Sequence, residues 1–250
     1  MNPRIAKQFL YSLLYLIIFG LIIFLIYFWL VQPKPTCFDN RKNQGEIGVD
    51  CGGPCQSCEI KTLKPLAAQK INFSQVQNRI VITAEITNPN LNFGADNFTY
   101  TVNFYNKDGI EISSLNGNSF IYAAGIKAFF EVDKKVNFSE VYNVSISFSD
   151  IHWVSKEEFQ QPKVELQNQK IVDGKPLRLE GVVINQNNFS VKLKLIGFIY
   201  DRYGIQISAS KTEIENVNAK EQKDFQIIFP SDISLDQIDQ SQTKIFTETR

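Results

Sequence analysis

Residues Phe9 to Val31 form an apolar run of 23 residues, interrupted only by Ser12 and Gly20, and nothing later in the chain resembles it. As a helix the run rises about 35 Å, enough to cross a hydrocarbon core of roughly 30 Å with slight tilt. Seventeen of its residues are Leu, Ile, Phe or Val, which favours insertion by roughly 5–10 kcal/mol as an upper bound. Tyr11, Tyr27 and Trp29 sit towards its ends, where amphipathic rings favour the membrane–water interface. A secretory signal has a shorter apolar stretch, of about 7–15 residues, and a small-x-small cleavage site. Trp29-Leu30-Val31-Gln32-Pro33 offers no such site, and Lys34-Pro35-Thr36 before Cys37 is no lipidation box. The expectation is one retained transmembrane helix over 9–31, with the lipid bilayer as its partner.

Orientation is weakly encoded. Arg4 and Lys7 precede the run, and Lys34, Arg41 and Lys42 follow it, so a count of basic residues does not decide it. The short basic lead of residues 1–8 is that of a signal anchor. The cysteines cluster just beyond the run, where an oxidising compartment lets them pair. Both points place the N-terminus in the cytoplasm and the C-terminal domains on the extracytoplasmic side of the cell membrane.

All four cysteines, Cys37, Cys51, Cys55 and Cys58, lie within 22 residues, spaced C-x13-C-x3-C-x2-C. In an exported chain such a set reads as two disulfides with three connectivities open. A neck of residues 32–60, rich in Asp, Asn, Gly and Pro, buries too little to hold itself, and cross-links supply what burial does not. Pro33 and Pro35 stiffen its exit from the membrane. Two other chemistries fit the residue types. Four thiolates bind zinc, although only Cys55–Cys58 has the usual knuckle spacing. A redox-active Cys55-x-x-Cys58 needs basic neighbours or a helix N-terminus, and Gly52, Gly53, Pro54, Gln56, Ser57 and Glu59 supply neither.

The stretch CFDNRKNQGEIGVDCGGPCQSC resembles a recurrent cysteine-rich segment of prokaryotic surface proteins, C-x-D-G-x-x-N-x-x-E-x-G-x-D-C-G-G-x-C-x-x-C, with Asn40 where glycine is usual. Asp39, Asn43, Glu46 and Asp50 place oxygens at loop spacing. Calcium ligation and turn formation through hydrogen bonds to their own backbone are both open readings, and the second is preferred.

Beyond the neck the chain repeats itself. Ile80–Asn88 matches Pro176–Asn185, and FYNKDGIEIS from Phe104 matches IYDRYGIQIS from Ile199. The spacing is 95 residues at Tyr105/Tyr200, Gly109/Gly204, Ile112/Ile207 and Phe130/Phe225, and 97 at Asn88/Asn185, so a loop around Asn92–Asn97 differs by two residues. That period is a domain duplication, not a solenoid unit, and predicts domains over 61–155 and 156–250. Apolar residues alternate at Ile80, Ile82, Ala84 and Ile86, and at Val191, Leu193 and Leu195, the pattern of an antiparallel sheet with one buried face and one wet face. Asn106-Lys107-Asp108-Gly109 and Asp201-Arg202-Tyr203-Gly204 each read as a turn whose glycine needs positive φ. Several short strands and no amphipathic helix in about 95 residues point to a two-sheet sandwich. Phe104, Phe129, Phe130, Phe198 and Phe225 are assigned to its core. The expected class is all-β: two tandem antiparallel sandwiches behind one N-terminal helix.

GFIYDRYG, with GVVIN before it and Phe225 after it, resembles the FxLYD family of bacterial envelope domains, with Gly197 and Ile199 at hallmark positions where Phe and Leu are usual. VNFYNKDG occupies the same slot in the first copy. The late-embryogenesis-abundant type of sandwich shares the pattern. The resemblance implies an immunoglobulin-like fold and an exported binding or spacer module with no catalytic centre.

No nucleophile elbow, Walker loop, dinucleotide fingerprint or HExxH motif occurs, and the one histidine, His152, is assigned to packing or surface. With 26 residues of each charge the net charge is zero, without the basic footprint of a nucleic-acid binder. No catalytic residue, cofactor, metal or small-molecule substrate is expected, and the partner is an unidentified envelope protein. Two rival functions remain: a thiol-redox accessory using Cys55 and Cys58, and a membrane-complex assembly subunit acting through its helix. Sequons stand at Asn72, Asn97, Asn137, Asn143 and Asn188, four of them Asn-Phe-Ser/Thr.

Overall fold

A computed structural model describes residues 3–28, 36–230 and 233–249. Trp29–Val31 of the expected span, and Pro33 and Pro35 of the neck, lie outside the described residues. The chain divides into two units, Met1–Leu63 and Lys64–Arg250.

The first unit opens on one helix, α1 (Pro3–Ile26), whose N-terminal proline needs no intrahelical amide partner. The helix begins before the apolar run, so Arg4 and Lys7 ride on its first turns. From Lys7 to Phe28 every residue is exposed. This helix, apolar all round from Phe9 and without a buried face, is long and apolar enough to cross a membrane. Ser12 is the one aliphatic hydroxyl in the stretch, and it donates to the Phe9 carbonyl at 3.1 Å, one turn back. A 3₁₀ turn (Cys58–Thr62) at the end of the neck closes the unit.

The second unit holds, among the described residues, twelve antiparallel strands: β1 (Ala67–Val76), β2 (Arg79–Thr87), β3 (Phe93–Tyr105), β4 (Glu111–Ile121), β5 (Ile126–Asp133), β6 (Asn143–Ser155), β7 (Val164–Val172), β8 (Arg178–Asn185), β9 (Val191–Tyr200), β10 (Gln206–Val217), β11 (Gln222–Ile228) and β12 (Lys244–Thr249). They form four three-stranded sheets. The orders are β1-β2-β5 and β4-β3-β6, then β7-β8-β11 and β10-β9-β12, so the second six strands repeat the arrangement of the first.

Each pair of sheets shares a core. Ile80, Ile82, Ala84, Ile86, Phe98, Phe104 and Phe129 meet in the first. Leu179, Val183, Leu193, Leu195, Ile199, Phe225 and Ile227 meet in the second. The turn glycines behave as their sequence context demands, with φ of 74° at Gly109 and 77° at Gly204.

Three details differ from the sequence reading. First, β2 is buried on both faces. Val81, Thr83 and Glu85, the separators in the alternation, are 8, 2 and 7 % exposed. A third core lies between the halves: Val81, Ala128 and Phe130 from the first, and Ile196, Phe198 and Tyr200 from the second. The outer face of one sheet of each half is therefore covered by the other. Second, the counterpart of Phe225 is Phe129, not Phe130. Phe225 pairs with Gly181 and Phe129 with Ala84, each four residues before the matched asparagine. Phe130 faces the third core instead. Third, the two additional residues of the first copy are not in a loop. They fall within β3, where pairing to both neighbours shifts between Ala95 and Thr99.

Candidate functional site

In the neck the cysteines pair as Cys37–Cys55 and Cys51–Cys58, with Cα separations of 5.6 and 4.8 Å. Cys55 and Cys58 thus belong to different bonds, and among the described residues no free thiol remains. The Sγ atoms of Cys37 and Cys55 and a carboxylate oxygen of Glu46 lie within 4.8 Å of one another. Both sulfurs are committed to one disulfide, which leaves no thiolate to bind zinc.

The four oxygen-bearing residues converge: the three carboxylates take this chain's own donors, while the Asn43 carboxamide oxygen is buried without one. Glu46, only 5 % exposed, takes the amides of Asn43 and Asp50 at 3.2 and 3.1 Å. Asp50 takes those of Asp39 and Asn40 at 3.0 Å each. Asp39 takes the Arg41 amide at 2.9 Å and the Asn43 side-chain amide at 2.8 Å. The Asn43 hydrogen bond holds the Asp39 carboxyl below its ordinary range; desolvation opposes it, and the backbone amides of Thr36 and Arg41 reinforce it. These residues form turns by satisfying backbone donors. Asn40, where glycine is usual, has φ of 56°, a left-handed conformation that asparagine tolerates. Gly53 has φ of 62°, and a Cβ there would come within 2.4 Å of the Gly45 carbonyl oxygen.

These contacts predict the effect of reduction. At a typical 2–4 kcal/mol per cross-link, loss of both disulfides removes most of what orders a segment with so little burial. Trypsin should then cut after Arg41, Lys42 and Lys61 far faster in dithiothreitol, while Lys64–Arg250 stays resistant. Non-reduced digests should link Cys37 to Cys55 and Cys51 to Cys58.

In the second unit the chemistry-bearing residues gather at the seam between the halves. Glu85 of β2 is bridged by Lys70 of β1 at 3.1 Å and by Lys244 of β12 at 2.8 Å. Lys127 of β5 meets Glu248 of β12 at 3.2 Å. Gln206 donates to the Thr83 hydroxyl at 2.9 Å, and Tyr122 to the Thr249 carbonyl at 2.8 Å. In the connection between the halves, Phe159 stacks on Tyr122 at 4.5 Å. Burial pushes the Tyr100 phenol up, and its hydrogen bond to Glu131 at 2.7 Å adds to the shift.

Burial alone would raise the pKa of Glu85, but the ammonium groups of Lys244 and Lys70 outweigh it and hold the carboxyl below the ordinary glutamate value of 4.5. A carboxyl depressed on folding contributes stability that is complete above its unfolded pKa and is lost as pH falls through the folded one. Glu85→Gln should therefore flatten the pH dependence of stability below about pH 4.5, as read by urea titrations at several pH values.

A cleft of about 390 Å³ opens at this seam, lined by Asn72, Ser74, Thr83, Gln206 and Ser208 among others. Among the described residues its lining holds amides, hydroxyls and apolar groups but no acid, base or thiol. It can hydrogen-bond a polar surface, and among the described lining residues no base accompanies the hydroxyls of Ser74, Thr83 and Ser208 to activate them. His152 is exposed, with Nδ1 2.7 Å from the Asp96 carboxylate.

One pair of residues escapes the sequence reading except as an alignment marker. Asn88 and Asn185 sit at the ends of β2 and β8, 3 and 0 % exposed. Each carboxamide oxygen accepts the amide and side chain of the asparagine two residues on, Asn90 or Asn187. Those partners clasp both backbone groups of Lys64 and Lys163, the entry to each half, at 2.9–3.0 Å. The Asn-x-Asn spacing in both copies is the available signal.

No family model matches the chain, and no curated protein does. Solved structures with some likeness include a red sea bream transglutaminase (TM-score 0.22, 12 % identity, 66 % of this chain and 27 % of that one). Another is a β-glucuronidase of glycoside hydrolase family 2 (TM-score 0.22, 10 % identity, 82 % and 26 %). The chain spans about a quarter of the length of each. Scores this low identify neither its fold family nor an activity.

Proposed function

We propose that this is a membrane-anchored, non-catalytic extracytoplasmic protein that presents two tandem immunoglobulin-like sandwiches of FxLYD type at the cell envelope, for protein binding or as a spacer. The observation that carries the reading is the order of parts: an exposed apolar helix, then two disulfides, then a β region whose halves are locked together. The recurring order of strands 1-2-5 facing 4-3-6 supports a Greek-key sandwich in each half. The separate bonding of Cys55 and Cys58 speaks against redox work by that pair.

The seam shapes how such an arm would act. A shared core and cross-seam ion pairs favour a stiff block over two beads on a string. Four edge strands, β1, β6, β7 and β10, carry bulges with left-handed residues at Lys70, Asp150, Asn168 and Asn216. Bulged edges resist strand addition, so loops and sheet faces are the better binding surfaces.

Protease added to intact cells tests the compartment. The β region should be degraded while cytoplasmic markers survive. Protection until detergent is added would overturn the proposal. Exchanging Phe9–Val31 for an unrelated anchor separates an arm, which keeps its partner, from an assembly subunit acting through the helix, which loses it.

A further inference from the structure

The five sequons are not equivalent once folded. Asn72 lies in β1, half-buried, its side-chain amide donating to the Gln206 carbonyl across the seam at 3.3 Å. Asn97 lies in β3, a central strand paired on both sides. Asn143 opens β6, and the hydroxyl residue two places on, Ser145, is within the strand and bonded to the Tyr105 hydroxyl at 3.3 Å. In these three the acceptor, its hydroxyl partner or both are held in a ladder.

Asn137 and Asn188 are different. Asn137-Phe138-Ser139 starts a single 3₁₀ turn between β5 and β6, with Asn137 and Ser139 exposed. Phe138 is half-buried and 6.1 Å from the Phe73 ring, anchoring the turn while its polar flanks face out. The Asn137 side chain makes only a weak 3.3 Å contact to the exposed Glu140 carboxylate and another to the Ser139 amide. Asn188-Phe189-Ser190 lies in the connection from β8 to β9, all three residues exposed. The Phe189 ring is 57 % exposed, an apolar face at the surface beside the acceptor.

We propose that Asn137 and Asn188 are acceptors for N-linked saccharide, a proposal that rests on the extracytoplasmic reading of this region. The donor class is a saccharide carried on a polyprenyl phosphate or diphosphate. The side-chain amide nitrogen forms a bond to the anomeric carbon and gives its proton to a base of the transferase. The bond from that carbon to the phosphate oxygen breaks, and its electron pair leaves with the lipid phosphate, so no oxidant or reductant is needed. A transferase must hold the carboxamide and the hydroxyl two residues on in one site, which requires a segment that can leave its neighbours. Only these two sequons keep both residues outside a strand ladder; at the second, the ties are a 3.4 Å bond from the Ser190 hydroxyl to the Asn218 side chain and the 2.8 Å bond that the Phe189 carbonyl accepts from Asn185. A sugar at Asn188 also has the Phe189 ring to lie against, which shields an apolar group otherwise in water.

The test is mass analysis of peptides from the full chain purified from its own host's membranes, with thiols blocked on the same sample. Peptides bearing Asn137 and Asn188 should carry an oligosaccharide mass. Asn137→Gln and Asn188→Gln should each remove one electrophoretic step, and Asn72→Gln, Asn97→Gln and Asn143→Gln none. Bare Asn137 and Asn188 with all four cysteines oxidised overturn the glycan proposal and leave the compartment standing. Bare acceptors with four free thiols overturn both. Sugar on Asn72, Asn97 or Asn143 with bare Asn137 and Asn188 overturns the structural sorting.

Discussion

Replacing Asn185 with alanine should lower the stability of the β region by about 3–5 kcal/mol, the cost of leaving several buried polar groups without partners. Asn185 is fully buried, and its side-chain nitrogen reaches the carbonyls of Phe189, Val217 and Asn218 at 2.8, 3.0 and 2.8 Å. Its oxygen takes the amide and side chain of Asn187. One carboxamide therefore joins the connection from β8 to β9, the end of β10 and, through Asn187, the entry segment at Lys163. Alanine removes donor and acceptor together and leaves the carbonyls of Phe189, Val217 and Asn218 without that donor. Asn185→Asp is the sharper variant. It is nearly isosteric but sets a charged acceptor against three carbonyls, so it should be at least as damaging near neutral pH and recover partly in acid, where the protonated carboxyl donates once. Urea denaturation of Lys64–Arg250, a compact unit in its own right, measures both. A loss below about 1 kcal/mol for the alanine variant would mean that the clasp is not what holds the corner.

That corner shows where sequence reading stops. Alternation at Ile80, Ile82, Ala84 and Ile86 locates the inner face of β2, because apolar side chains two apart must share a side. The opposite face is illegible for a physical reason: Thr83 and Glu85 are polar, and polarity reads as solvent. Glu85 is buried only because Lys70 and Lys244 neutralise it, and Lys244 lies 159 residues away. A signal does exist in the differences between the copies. Aligned on the turns at Asn106 and Asp201, Thr101 and Asn103 stand opposite Ile196 and Phe198. The second copy is apolar on both faces of β9, where the first is polar on one, and only the second is covered there. In the neck, the cysteine spacing announces cross-links but not their connectivity, since three pairings satisfy the same four positions. Turn formation by Asp39, Asn43, Glu46 and Asp50 is legible because short side chains with oxygens reach their own backbone.

The seam yields the second large effect. Phe198 is 1 % exposed in the core between the halves, with the Phe246 ring 5.2 Å away. Phe198→Ala should cost about 3–5 kcal/mol, from lost burial and the cavity left behind. The form of the loss matters more than its size. Phe104, buried to the same degree, lies inside the first core, so Phe104→Ala should weaken one half from within. Phe198→Ala weakens the coupling between halves that each keep their own core. The parent region should unfold in one cooperative transition by calorimetry, and the Phe104 variant should lower its temperature. The Phe198 variant should split it in two, with faster proteolysis of the connection near Lys156. The ion pairs at Glu85 and Glu248 do not prevent this, because an exposed pair contributes little once the apolar contact that excludes water around it is gone. A Phe198 variant that still unfolds in a single transition would show that the connection and its Phe159–Tyr122 stack, not the shared core, make the two halves one block.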